Sequence, residues 1–416
     1  KVFVSIGATM AILLGLGLLG SFHKPKDFHI YAKEGVLIVA LCWILWSFFG
    51  ALPFVFSGQI PNIIDAFFEV GVLSHSLLFW RSFTHLIGGM GVLVFALAIM
   101  DNNKNSHLEV MKAEVPGPVF GKVVSKLKNT AQILYFLYLG LFFLFVVLYF
   151  LAGMPLYDSF VIAMGTAGTG GFTVFNDGIA HYNSSLITYL VSIGVLVFGV
   201  NFNLYYFLMI RKFKAFFKDE ELRTYITIVL VSSVLIAYNV LHLYANVAKS
   251  FEISFFQVSN IITTTGFGYG TTEKWPLFSQ FILLMLMVVG GSAGSTAGGL
   301  KVIRCLTLWR IAKNQVLSTL SPNRVLTLHV NDTVLDKDTQ HQILKYFTIY
   351  SFITIGLLFV VSLDNNNFMT VVSAVFSCFN NIGPMIGTGQ TFSIFSPISK
   401  LLLSLAMIAG RLEIYP

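Results

Sequence analysis

Nine apolar runs constrain this chain more than any other feature. Each has about twenty residues, the length that crosses the hydrocarbon of a bilayer as a helix. They fall at approximately 2–22, 35–56, 77–100, 130–153, 186–210, 225–245, 276–303, 343–363 and 397–416. Charge is scarce: 11% of the 416 residues are charged and 56% are hydrophobic, whereas soluble domains carry roughly a quarter charged residues. That balance excludes an ordinary soluble enzyme, a disordered scaffold and a secreted disulfide module. Cys42, Cys305 and Cys378 each lie in or beside an apolar run and cannot supply a disulfide framework. The first run is rich in glycine, has little charge before it and no cleavage site after it, so it reads as a membrane helix rather than a signal peptide.

Four shorter semi-apolar stretches lie between the long ones, at 61–70, 156–166, 252–262 and 367–379. They are too short to span. They suit re-entrant helices, which are tolerated at membrane depth when they are buried in protein or line water. Most of the lysines and arginines sit in four segments, 23–33, 101–129, 211–223 and 301–345. If the nine spans alternate, all four lie on one side, which is then the cytoplasm, and the short stretches and the N-terminus face outside. The formal net charge of +7 is accounted for by these loops, without a nucleic-acid partner. The 101–129 loop suits either contact with anionic lipid or docking of a cytosolic partner.

The chain then parses as a repeated unit of span, short helix, polar turn and span. The boundaries are 1–33 for an extra N-terminal helix and its loop, 34–129 for repeat one, 130–223 for repeat two, 224–338 for repeat three and 339–416 for repeat four. The turns after the short helices read GTAGTGGF (Gly165–Phe172), TTTGFGYG (Thr263–Gly270) and FNNIGPMIG (Phe379–Gly387). Aligned on one glycine they give Gly168-Thr169-Gly170, Thr264-Thr265-Gly266 and Asn381-Ile382-Gly383. Repeat one runs from Val70 into Gly71 with no corresponding turn, so a segment is expected to be missing there.

These turns suit a dehydrated cation. Such an ion must exchange its water for several oxygens at once, and backbone carbonyls supply them when extended strands point them at a common axis. Gly permits the unusual backbone angles this needs, and Thr adds a hydroxyl and a stiff side chain. The short helix before each turn aims its partly negative C-terminal end at the pore. The expected fold is an all-α integral membrane protein, with four helix–re-entrant pore loop–helix repeats around a central pore and an additional N-terminal helix. The expected ligand is a dehydrated cation, held by backbone carbonyls only.

At this point the motifs resemble a known family. TTTGFG (263–268), GTAGTGGF (165–172), WRSFTHLIGGMGVLVFALAI (80–99), GGSAGSTAGGLKVIR (290–304) and MIAGRLEIYP (407–416) resemble the Trk/Ktr/HKT superfamily of potassium transporters, and most closely its TrkH-type bacterial branch. The resemblance covers nearly the whole chain. It implies a potassium-conducting pore subunit in the plasma (inner) membrane, with no cofactor of its own. It also implies a homodimer with one pore per subunit, gated by a cytosolic nucleotide-binding (RCK-type) ring. Gly170, Gly266 and Gly383 would be the selectivity glycines, and Gly168, Thr169, Thr264, Thr265, Asn381 and Ile382 would present carbonyls. That branch has two leading helices where one is visible here, so the natural N-terminus is expected to lie further upstream.

Span seven contains GGSAGSTAGG, Gly290–Gly299. Gly costs a helix about 1 kcal/mol per residue against Ala, so a non-helical loop lining a cavity is expected here, although a small-residue packing face would look similar. The resemblance makes it an intramembrane gating loop, built from Gly290, Gly291, Ser292, Gly294, Ser295, Thr296, Gly298 and Gly299. Arg411 lies within the last span and is a functional candidate by default. The resemblance places it beside that loop as an electrostatic barrier to cations, and the bland alternatives are pairing with Glu413 or snorkelling to the surface. Arg81 reads as a structural partner for Asp65 and Glu69, His85 as a packing residue, and GGMG (88–91) as a site of close helix packing.

Gly294–Lys301 is similar to a Walker A loop but lacks the adjacent Gly-Lys and the following Ser or Thr. The nine histidines show no metal-ligand spacing. No catalytic triad is suggested, so the chain is not read as an enzyme. Two rival readings remain. A Na⁺- or H⁺-coupled potassium symporter on this scaffold would need acidic residues along the path, where Asp65, Glu69 and Glu413 are the candidates. A membrane enzyme or scaffold would carry no ion flux at all.

Overall fold

The computed structural model describes residues 2–22, 32–60, 73–89, 91, 127–270, 272–320, 327–331, 333–387 and 391–412. The helices in chain order are α1 (Val2–Ser21), α2 (Ala32–Ser57), α3 (His75–Gly89), α4 (Leu127–Leu151), α5 (Leu156–Ala167), α6 (Ser185–Phe198), α7 (Phe202–Met209), α8 (Phe213–Lys218), α9 (Glu220–Tyr244), α10 (Val247–Ile262), α11 (Leu277–Val289), α12 (Val302–Leu320), α13 (Lys337–Val361), α14 (Phe368–Phe379) and α15 (Pro397–Arg411). A small antiparallel ribbon pairs β1 (His329–Val330) with β2 (Thr333–Val334). Among the described residues, α1, α2, α4, α9 and α13 are each long and apolar enough to cross a membrane, and α6 with α7 makes a sixth such span if the bent pair is counted as one.

The same sequence of elements occurs three times: a long helix, a short helix, an irregular turn and a further helix. These are α4–α5–α6, α9–α10–α11 and α13–α14–α15. The short helices start where side chains take up their free N–H groups. Asn246 caps α10 by accepting from Ala248 N at 2.9 Å, and Asn367 caps α14 by accepting from Met369 N at 3.4 Å. Helix α5 begins after Pro155, a residue with no N–H to satisfy. The corresponding stretch of repeat one, 61–70, and the proposed gap after Val70 lie outside the described residues.

Two expected spans differ from a continuous helix. The run 186–210 is broken between Phe198 and Phe202, and α7 leaves α6 at 92°. The run 276–303 stops at Val289 and resumes at Val302, as its glycines predict. Beyond it, the start of the basic segment 301–345 is not a loop, because α12 continues to Leu320.

Buried tyrosines tie the helices together within repeats two and four, and one of them reaches repeat one. Tyr138 is fully buried, donates to Leu86 O at 2.7 Å and packs edge-on against Phe198. Tyr149 shares a 3.1 Å hydrogen bond with Thr166 near the end of α5, and Tyr350 does the same with Asn380 at the end of α14. Burying each phenol with a partner for its hydroxyl adds area without an unsatisfied polar group.

Candidate functional site

The three short helices end in the same way. After the last helical residue comes one cap residue with ψ near 0° (Gly168, Thr263 and Asn380), and then a residue of positive φ: Thr169 (49°), Thr264 (53°) and Asn381 (57°). A left-handed residue is a common helix stop, but for β-branched Thr it is strained by roughly 1–2 kcal/mol and persists only where the surroundings enforce it. The next residue donates five positions back: Gly170 N to Gly165 O (2.8 Å), Thr265 N to Asn260 O (2.9 Å) and Ile382 N to Ser377 O (2.8 Å). A glycine of positive φ then follows: Gly171 (68°), Gly266 (77°) and Gly383 (107°).

This pattern sets the register of repeat two one residue later than the glycine alignment does. By backbone geometry the counterpart of Gly266 and Gly383 is Gly171, and Gly170 matches Thr265 and Ile382. The signal was present in the sequence, because Phe172 follows Gly171 as Phe267 follows Gly266.

The turns interlock. A Cβ added to Gly171 would overlap the Thr265 carbonyl oxygen, and one added to Gly266 would overlap the Ile382 carbonyl oxygen. Gly171 and Gly266 thus each abut a carbonyl of the next repeat, in the order two, three, four, and among the described residues nothing lies within 4 Å of a Cβ added to Gly383. The strands continue in contact beyond the turns, where Ile179 N donates to Gly268 O at 3.0 Å. Asn260 secures the repeat-three wall, since its Oδ1 accepts from Phe267 N at 3.2 Å.

Directly against these turns lies the glycine loop. Gly290, Gly294 and Gly299 have positive φ, as does Lys301. The neck is closed by Leu300 N to Val288 O and Val302 N to Gly291 O, both 3.0 Å. The loop reaches three of the repeats. Gly298 N donates to the Thr264 hydroxyl at 2.7 Å, and a Cβ on Gly298 would overlap the Asn380 carbonyl. Thr296 O accepts from the Thr169 hydroxyl at 3.0 Å and from Arg411 Nη1 at 3.1 Å. Arg411 Nη2 also donates to Gly88 O (2.7 Å) and Gly89 O (3.1 Å), so this one guanidinium ties the loop to α3. It lies 5.2 Å from the Trp43 ring. Glu413, its alternative partner, lies outside the described residues.

The break in span five belongs to the same assembly. With α6 ending at Phe198, its last carbonyls need donors. Ser292 N bonds to Gly199 O at 3.0 Å, and the Thr296 hydroxyl bonds to Phe198 O at 3.2 Å. In return Phe202 N donates to Gly294 O at 3.0 Å. Ser295 is tied within the loop, its hydroxyl donating to Ser292 O at 2.6 Å.

The remaining candidates lie on α3. Arg81 donates to Thr173 O at 3.0 Å and sits 4.3 Å over the Phe172 ring, while Asp65 and Glu69 lie outside the described residues. His85 stacks on Phe172 with centroids 5.3 Å apart, and a Cβ on Gly170 would overlap its ring. Gly89 brings α3 close to its neighbours, since a Cβ there would lie 2.7 Å from Gly168 Cα. Gly168 in turn packs against the His85 carbonyl. Most of the 101–129 loop, and residues 92–100, lie outside the described residues. Among the described residues no group of three His, Cys, Asp or Glu side chains is placed to hold a metal. Oxygen in the three turns is carried by backbone carbonyls, by threonine hydroxyls and by the Asn381 side-chain amide.

Comparison with known proteins agrees with this architecture. A family model described as "TrkH: Cation transport protein" matches residues 2–416. The chain is 31% identical to the Trk system potassium uptake protein TrkH of Salmonella typhimurium over 433 aligned residues, covering 98% of this chain and 89% of that protein. It is 27% identical to an uncharacterized cation transporter of Methanocaldococcus jannaschii, covering 94% and 82% respectively. The crystal structure of the potassium transporter TrkH from Vibrio parahaemolyticus superposes with a TM-score of 0.87 at 29% identity, covering 99% of this chain and 90% of that one. The chain is therefore a multi-pass membrane protein belonging to the TrkH family of cation transport proteins.

Proposed function

We propose that this chain is the pore subunit of a potassium uptake system in the bacterial plasma membrane, with its basic loops in the cytoplasm. K⁺ sheds water at the turns 168–171, 264–266 and 381–383 and is received by their carbonyl oxygens, with repeat one completing the ring. The loop Gly290–Gly299, fastened by Arg411, closes the path beneath that ring and moves aside to open it. Repeats at 34–129, 130–223, 224–338 and 339–416 follow the extra segment 1–33. A homodimer with a cytosolic nucleotide-binding ring as gate controller extends this reading from the resemblance of the whole chain.

One observation supports the reading most: Gly171 and Gly266 seat against the carbonyl of the next repeat's turn, so the turns of repeats two, three and four lie side by side, as segments sharing one axis would. Relatives known as potassium uptake proteins suggest which ion it is. The test is radiolabelled rubidium uptake into liposomes holding the purified protein, with sodium as competitor and no imposed sodium or pH gradient. Uptake that persists and resists sodium supports a selective pore. Uptake that requires a gradient favours the symporter, and absence of any flux removes the transport reading.

A further inference from the structure

We infer that Glu221 is the positioning residue that fixes the glycine loop in its present shape, by accepting hydrogen bonds from both sides of the loop's neck. The inference rests on the reading of that loop as the gate. Glu221 is the second residue of α9 and is only 5% exposed. Its Oε1 accepts from Ala293 N at 2.7 Å and from Ile303 N at 3.2 Å. Ala293 lies inside the loop, whereas Ile303 lies in the first turn of α12, beyond the neck. One oxygen atom from a third helix therefore ties the loop's first half to the helix on which the loop would pivot.

The surroundings make this acceptor hard to replace. Ala293 and Ile303 sit in an apolar cluster with Leu328, Val330, Leu335 and Ile343. Water has poor access there, so an N–H deprived of Glu221 would be left unpaired. The carboxylate also faces the first turn of α12, where free N–H groups and the positive end of the helix dipole favour a negative charge.

The two residues before Glu221 point the other way and grip the ribbon. Asp219 Oδ1 caps α9 by accepting from Leu222 N at 2.7 Å, and its Oδ2 accepts from Asn331 Nδ2, also at 2.7 Å. Glu220 accepts from Arg310 Nη1 at 2.8 Å and from Asn331 N at 3.3 Å, and its own N–H donates to Asn331 Oδ1 at 2.8 Å. A single helical turn thus binds the ribbon on its outer side and the loop on its inner side. Displacing the ribbon would turn α9's first residues and pull Glu221 from the loop.

The test compares Glu221→Ala with Glu221→Gln in the full chain. Gln keeps a carbonyl oxygen able to serve both donors, and Ala keeps none. Hydrogen exchange of a peptide covering 290–303 reads the loop directly, and rubidium uptake reads the gate. Glu221→Ala is expected to speed exchange of that peptide and raise basal uptake about tenfold, with the preference for potassium over sodium unchanged. Glu221→Gln is expected to match the unaltered protein in both readouts. Unchanged exchange in Glu221→Ala would overturn the inference, as would Glu221→Gln being equally disruptive. Should the Ala variant fail to fold, Glu221→Asp, one methylene shorter, replaces it and must show the faster exchange; normal exchange there also overturns the inference. Exchange is measured without flux, so a chain that carries no rubidium at all would sink the transport reading separately.

Discussion

Gly171→Ala tests the register of the repeat-two turn, and with it the geometry of the whole site. Gly171 has φ of 68°, a conformation that costs an alanine about 1–2 kcal/mol. Its new methyl would also overlap the Thr265 carbonyl oxygen. Restoring van der Waals distance requires that oxygen to move by on the order of 1 Å. An oxygen displaced so far can no longer stand in for a water of the ion. We expect the uptake ratio of rubidium to sodium in proteoliposomes to fall at least tenfold, about 1.4 kcal/mol of discrimination.

The neighbouring Gly170→Ala is the control. Its backbone is not left-handed, and the three atoms nearest its methyl all belong to the His85 side chain, the Cβ at 2.9 Å among them. Its damage should therefore be relieved in a His85→Gly background, at a cost of about 1 kcal/mol in helix stability. Gly171→Ala should gain nothing from His85→Gly, because its obstacle is backbone. A Gly171→Ala protein with an unaltered ratio, or one restored by His85→Gly, would refute the reasoning.

Further predictions follow from the same contacts. Gly266→Ser should also weaken the preference for potassium, since any Cβ there overlaps the Ile382 carbonyl; indifference of the competition assay would contradict the placement of this glycine. Arg411→Gln removes the guanidinium that serves Thr296 O, Gly88 O and Gly89 O. It should raise basal rubidium uptake and lower the thermal midpoint in detergent, each lost charged hydrogen bond contributing about 1.5–3 kcal/mol. Thr264→Val keeps the shape but leaves Gly298 N–H without its 2.7 Å acceptor. It should destabilise the closed loop by about 1–3 kcal/mol, visible as faster hydrogen exchange at 296–299. Tyr350→Phe deletes the hydroxyl bonded to Asn380 and should cost about 1 kcal/mol of stability by thermal unfolding with little change in ion preference.

How much of this was legible in the sequence depended on whether the cause was local. The short helices expected at 156–166 and 367–379 are found at Leu156–Ala167 and Phe368–Phe379, because both are apolar and their ends are marked by Pro155 and Gly168 in one and by Asn367 and Asn380 in the other. The one expected at 252–262 begins earlier, at Val247. Its first turn carries polar Lys249 and reads as loop, although Asn246 is a recognisable cap. The interruption at Gly290–Gly299 was visible from its glycines alone. The break after Phe198 was not, since FGVNF offers one glycine in an apolar run and the bend is held by hydrogen bonds to a loop ninety residues distant in sequence, roughly the separation of Gly199 from Ser292. The one-residue register in repeat two was hidden because Gly170 and Gly171 are adjacent, and only backbone angle and the following Phe172 tell them apart. Arg411 was found by its charge, whereas Glu221 was not singled out, because a glutamate in a helix's first turn usually caps its own helix rather than another segment.

If the glycine loop is the proposed gate, the bend between α6 and α7 constrains how it could open. While the loop stays in place it serves the oxygens of Phe198 and Gly199. Were it to swing away, those two dipoles would stand bare inside the protein, where leaving each unserved would cost several kcal/mol. Solvent is the substitute that an unblocked conduit would bring with it, so displacement of such a plug and flooding of the vestibule would be one concerted transition rather than two separable steps.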